Sequence, residues 1–142
     1  MPGSATVYVE RGVLGHTLAY TAMSAPTAIY IGLCIADTPP TAATGGTEAA
    51  GNGYVRMPAT FALTADPDET IAANTATIEW PSATAAWGTI GFFELWDAVT
   101  AGQRLYWGPL VDPVDGTTPI VRAVLGGDIV RLTAGTVQVQ AT

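Results

Sequence analysis

The sequence predicts an all-β protein: an antiparallel β-sandwich, of jelly-roll or Ig-like type, made of about eight short strands with a short N-terminal helix. Three observations carry this. Apolar-rich runs recur roughly every 8–12 residues, each bounded by Gly, Pro or Asp, which is the rhythm of a sandwich or barrel. Ala, Thr, Gly and Pro make up half of the 142 residues, with no Lys and only 12% charged residues. That composition is too poor in Glu, Lys and Leu for a helical bundle. At 49% hydrophobic it is too apolar for a disordered chain. Finally, the links between runs leave no room for the helical crossovers of a parallel sheet. The length fits one domain, residues 1–142, with a core that needs neither disulfides nor metal.

Residues 1–22 form an N-terminal arm. In it Val7, Arg11, Leu14 and Leu18 share one helical face and Ser4 is placed to cap a helix. Gly12 and Gly15 each weaken that helix by about 1 kcal/mol relative to Ala, and Val7 and Val9 would also suit a short strand. Ile29, Ile31, Leu33 and Ile35 alternate with Tyr30, Gly32 and Cys34, a period of two that reads as a strand. Residues 38–53 (TPPTAATGGTEAAGNG) are a long loop without apolar periodicity, a length at which loops are often functional or disordered. Being Gly-rich and nearly uncharged, the loop is expected to order on a partner rather than alone. Further strands are expected at Tyr54–Met57, stopped by Pro58, and at Thr75–Trp80, stopped by Pro81, with a turn at Asp66–Glu69 between them. Thr89–Trp96 is the most apolar strand and returns through 97–102 into Gln103–Val111. Ile120–Leu125, Asp128–Leu132 and Thr136–Gln140 complete the set. In the last of these, Val137 and Val139 share one face and Gln138 and Gln140 the other. Ile31, Phe92, Trp96 and Trp107 are expected in the core, because they lie in the two most apolar strands and one alternating strand.

The sequence carries no evident catalytic set. His16 is the single His and Cys34 the single Cys, too few for a zinc site. Cys34 lies inside a strand, where a buried, inert thiol is expected. No Gly-x-Ser-x-Gly turn accompanies His16, and the pairs Gly45-Gly46 and Gly126-Gly127 lack the Lys of a phosphate loop. Asp66, Asp68 and Glu69 form an acidic turn without the spacing of a calcium loop. Glu79 and Glu94 could serve as a glycosidase carboxyl pair only if a cleft joined them. The aromatics between 80 and 107 suit a core or, alternatively, a sugar-stacking platform. No catalytic, cofactor-binding or metal-ligating residues are therefore expected. All five cations are Arg and the net charge is −7, so neither nucleic acid nor an anionic membrane is an expected partner. No signal peptide or membrane span is visible.

An ordered set of stations spans nearly the whole chain. Val13-Leu-Gly-His-Thr-Leu18 precedes Pro26-Thr-Ala-Ile-Tyr-Ile-Gly-Leu33. Gly53-Tyr54-Val55-Arg56 follows the loop. Then come Pro81-Ser-Ala-Thr-Ala-Ala-Trp87-Gly-Thr89, Phe93-Glu-Leu-Trp96-Asp97, Leu105-Tyr-Trp-Gly108 and Ala134-Gly-Thr-Val137. In this order they resemble a family of small tailed-bacteriophage virion proteins, the so-called tail-fibre and head-decoration proteins. The resemblance implies a β-sandwich subunit of the virion, assembled in the host cytoplasm, with no cofactor and no catalytic residues. The expected role is capsid decoration (a cement subunit), with a tail or fibre-attachment component as the alternative and a carbohydrate-binding module as a further one. Its expected partners are the major capsid protein or other virion proteins and further copies of itself, as a dimer or trimer. The 38–53 loop and the N-terminal arm are the expected contact regions.

Overall fold

The computed structural model describes residues 2–64 and 70–140. Its elements in chain order are β1 (Ser4–Ala5), α1 (Val7–Leu18), β2 (Ile29–Ile35), β3 (Met57–Ala59), β4 (Phe61–Leu63), β5 (Ile71–Asn74), β6 (Ile78–Glu79), β7 (Gly88–Trp96), β8 (Arg104–Pro109), β9 (Arg122–Val124), β10 (Arg131–Leu132) and β11 (Gln138–Gln140). All pairs between these named strands are antiparallel, and the fold is all-β and sandwich-like as expected.

The nine-residue β7 is the spine of the main sheet. One side of it pairs with β2. The other is shared by β8, opposite Phe92–Trp96, and β9, opposite Gly88–Ile90. β1 adds outside β8 and β3 outside β2. Two smaller sheets, β4–β5–β11 and β6–β10, complete the domain. The main and three-stranded sheets are tied together at Gly3, whose N–H donates to the Gln138 carbonyl at 2.7 Å and whose carbonyl accepts from Gln140 N–H at 2.9 Å. Only glycine fits there, because a Cβ would lie 2.4 Å from the Trp107 carbonyl oxygen.

The pleat assigns the faces. Ile31 and Leu33 lie opposite Leu95 and Phe93, and these four belong to one buried cluster with Ile78, Trp80, Trp87, Val124, Val137 and Val139. Tyr30, Gly32 and Cys34 lie opposite Trp96, Glu94 and Phe92, on the other face. The expected core is therefore corrected: Ile31 is fully buried, but Phe92, Trp96 and Trp107 are only partly buried, on the face away from the core. The core aromatics are Trp80, Trp87 and Phe93. Phe92-Phe93-Glu94-Leu95-Trp96 has apolar residues at both parities, so only pairing with β2 decides which set points inward.

Several element boundaries also differ from expectation. Thr6, not Ser4, caps the helix, its Oγ1 lying 3.5 Å from Val9 N, because Ser4–Ala5 is used as a strand beside β8. Eleven short strands form among the described residues where about eight were expected. Tyr54–Arg56 is not strand. The pairing falls on Met57–Ala59 and includes Pro58, opposite Tyr30, which is tolerated because β3 is an edge. Of Thr75–Trp80 only Ile78–Glu79 pairs, and β4 and β5 were not expected at all. The turn expected at Asp66–Glu69 lies outside the described residues.

Candidate assembly surface

The outer face of β2 and β7 is not left to solvent. Residues 47–49 run alongside β2, with Ile35 N–H donating to the Thr47 carbonyl and Ala49 N–H to the Leu33 carbonyl. Two carboxylates then fasten the loop. Glu48 accepts a two-pronged ion pair from Arg56 (Nη2–Oε1 2.9 Å, Nε–Oε2 3.0 Å) and the Tyr54 hydroxyl proton at 2.5 Å. That hydroxyl oxygen also accepts Leu33 N–H at 2.9 Å. Glu94, fully buried, pairs with Arg104 (3.2 Å), accepts Gly46 N–H from the loop (3.2 Å) and accepts from the Cys34 thiol (3.1 Å). Arg104 in turn donates to the Thr41 and Ala42 carbonyls. Arg56 donates to the Ala98 and Ala101 carbonyls and stacks 3.9 Å above the Trp96 ring centre.

The far end of the loop is held from the core side. Trp87 Nε1 donates to the Asn52 carbonyl and Trp80 Nε1 to the Val55 carbonyl, both at 2.9 Å. Tyr54 packs edge-on against Trp87 at 5.3 Å. Gly51, Asn52 and Gly53 are all left-handed, a bend that glycine makes without steric cost. Gly32 is needed for a different reason: a Cβ there would lie 2.6 Å from Glu48 Oε2. The expectation that this loop orders only on a partner is thus overturned. Its one charge, Glu48, is ion-paired and hydrogen-bonded within the chain, the condition under which buried charge is tolerated. Burial followed by the Glu48 hydrogen bond pushes the Tyr54 hydroxyl pKa well up. Burial followed by the Glu94 charge does the same to the Cys34 thiol, which makes it a poor nucleophile.

The N-terminal arm behaves in the opposite way. Only Val9 of α1 is buried, packing with Ala5 and Leu105 and against Met23, Ile29 and Tyr106. Gly12 is accounted for by Met23, whose sulfur would lie 2.5 Å from an added Cβ. The face formed by Arg11, Leu14 and Leu18 points to solvent. Leu14 is 57% exposed, Leu18 74% and Tyr20 96%, with Tyr8 and Val13 exposed beside them. Residues 12–36 contain no Asp, Glu, Lys or Arg. A shallow groove of about 570 Å³, lined by Tyr8, Arg11, Gly12, Gly15 and Thr21–Ser24, runs along the helix. Scattered apolar residues on a surface are ordinary, but several exposed on one short helix, beside a charge-free segment, are less so.

The other residues singled out in the sequence do not converge. His16 is exposed in the last turn of α1 and lines a second shallow groove with Val13, Thr17 and Met23. Glu79 is exposed on β6 and paired with Arg131, while Glu94 is enclosed under the loop, so no cleft joins them. No three of His, Cys, Asp and Glu gather among the described residues, and Asp66, Asp68 and Glu69 lie outside them. Gly126 and Gly127 form a turn with Asp128, whose carboxylate accepts Leu125 N–H. No Trp is exposed: Trp80 and Trp87 are buried and Trp96 and Trp107 partly so. Glu48, Tyr54, Arg56 and Arg104 were not recognised as a group in the sequence. Their signal was the scarcity of charge, since three of the five Arg are ion-paired.

No described helix is long and apolar enough to cross a membrane. No curated protein matches the chain. A family model described as podophage GP4 fiber I protein gp80 matches residues 4–140, almost the whole chain and every element above. The chain therefore belongs to the podophage GP4 fiber I protein family, a family of bacteriophage virion proteins.

Proposed function

We propose that the protein is a non-enzymatic structural subunit of the phage fibre, and that it joins its neighbours through the exposed helix of the N-terminal arm and the charge-free segment that follows it. The observation that carries this reading is the arm itself: a helix with one buried residue, continuous with a segment free of formal charge. The closed loop network supports a purely structural role, because its carboxylates and tyrosine are consumed in holding the fold. Attachment of this kind is apolar. It should therefore survive molar salt, whereas charge-driven contacts are screened over about 8–10 Å at physiological ionic strength. The partners would be other virion proteins and further copies of the chain.

Head decoration is the second reading, with the major capsid protein as partner. It is favoured by the small sandwich-like domain, which has no fibre repeat of its own. Quantitative mass spectrometry of purified virions, with immunogold labelling, separates the two. A few copies grouped at the tail or neck support the fibre subunit. Copies in the hundreds spread over the head would replace it with a cement role. A sugar-binding platform is disfavoured by the absence of an exposed Trp.

A further inference from the structure

We propose that Asn52-Gly53 is a latent deamidation site, which the fold holds shut and which reacts only when the end of the 38–53 loop swings open. An asparagine followed by glycine is suited to this chemistry, because glycine has no side chain to shield its backbone nitrogen. The Gly53 nitrogen attacks Asn52 Cγ. A C–N bond forms, the Cγ–Nδ2 bond breaks, and ammonia leaves with the proton of the Gly53 N–H. Water then opens the cyclic imide at either carbonyl and leaves aspartate or isoaspartate at position 52. Water is the only co-reactant, and Asn52 is exposed to it.

Exposure alone would make the site reactive, but the backbone opposes it. Ring closure needs the Gly53 nitrogen and Asn52 Cβ on the same side of the Cα–C bond. At φ 54° Asn52 is left-handed, a region where ψ is about +30 to +60° and the next nitrogen lies nearly opposite Cβ. Closure therefore demands close to half a turn about Cα–C, and that rotation carries the Asn52 carbonyl with it. This carbonyl accepts from Trp87 Nε1 at 2.9 Å and from Thr84 N–H at 3.0 Å, and both bonds must break. The side chain is held as well, with Nδ2 donating to the Ala86 carbonyl at 3.0 Å. All three partners lie in the bend before β7, which is anchored by buried Trp87.

The reaction would also fix the open state. Neither product has an amide hydrogen for the Ala86 carbonyl, and both add a negative charge. Isoaspartate further puts a methylene into the main chain, in a bend where three successive residues are left-handed. The next side chain is Tyr54, whose hydroxyl bonds Glu48 and Leu33, so the change lands beside the loop's own clasp. One opening thus leaves a permanent chemical record.

Peptide mapping by mass spectrometry of the full chain, incubated at mildly alkaline pH either native or in concentrated urea, tests the idea. Position 52 of the native chain should react at least about 100-fold more slowly, as expected of an open population of about 1% or less. Trp87→Phe keeps a ring in the core and removes one donor. It should speed the native reaction by about 3–10-fold, the worth of one hydrogen bond. Amide exchange of the wild-type chain gives a reading that needs no variant and decides the matter if Trp87→Phe fails to fold. One opening frees both groups, so the Thr84 N–H should be slowed by a factor within about tenfold of that found for Asn52. Refolded chains carrying isoaspartate should lose near-UV circular dichroism from the Tyr54–Trp87 contact. A native rate within about tenfold of the unfolded one would show that the fold does not hold the site shut. A folded Trp87→Phe chain with an unchanged rate, a freely exchanging Thr84 N–H beside an intact Asn52, or an unaltered spectrum after modification would equally overturn the proposal.

Discussion

Residues 38–53 and residues 7–27 carry opposite sequence signatures and meet opposite fates. The first has no apolar periodicity and yet is closed onto the sheet by Glu48, Glu94, Arg56, Arg104 and Tyr54. The second has a clean helical stripe, and the stripe faces water. Periodicity tells which residues share a face. It does not tell whether the body that covers that face belongs to the same chain. Nor does a lack of apolar residues mean mobility when a few charges find buried partners.

The most drastic way to break this contrast is to delete residues 42–50. The deletion removes Gly46 and Glu48, uncovers Cys34 and Gly32 and leaves Arg56 without its carboxylate. We expect loss of the cooperative thermal transition by circular dichroism. A deletion variant that melts like the parent would mean the loop is ornamental. Next in size is Glu94→Ala, which strands a buried Arg104 and the Gly46 N–H. Removing one partner of a buried pair costs about 3–5 kcal/mol, readable as a lower urea midpoint. Gly32→Ala pushes a methyl into Glu48 and should cost about 1–3 kcal/mol, with the Tyr54 environment changed in near-UV circular dichroism.

The arm supplies the counter-test. Leu14→Ser in dilute solution should shift stability by no more than about 0.5 kcal/mol, since the side chain is largely exposed; a loss like that of Glu94→Ala would show that α1 is part of the core. The smallest effect belongs to Asp115, an exposed carboxylate that anchors its turn without burial. The Thr118 hydroxyl, then the Thr118 and Thr117 backbone N–H groups, lower its pKa to about 2 from 3.8. Its contribution is therefore present above pH 3.8 and is lost as the pH falls through about 2. Carboxyl chemical shifts in an acid titration should show a midpoint near 2, and a midpoint near 3.8 would remove the anchoring.

The class of the fold was legible because short apolar runs between turn residues admit little else. The inward face of β11 was legible from Val137 and Val139 alternating with Gln138 and Gln140, and both valines are buried. The inward face of β7 was not, because apolar residues fall at both parities and a long-range pairing with β2 decides between them. The loop network was not legible because its members come from 48, 54, 56, 94 and 104, separations over which a single sequence carries no register. For the arm, the helix and its shared face were legible, while the side that packs on the domain came down to Val9 alone.

The clasp at Gly3 has a kinetic consequence. Its partners lie at residues 138–140, so the sheet that holds β1 cannot close until strands far apart in sequence have met. Closures of that span are slow, on the millisecond-to-second scale of all-β domains, whereas a helix forms within about a microsecond. During folding α1 can therefore form and dissolve many times before β1 locks its base in place. A stable orientation of the helix with respect to the domain has to wait for that closure.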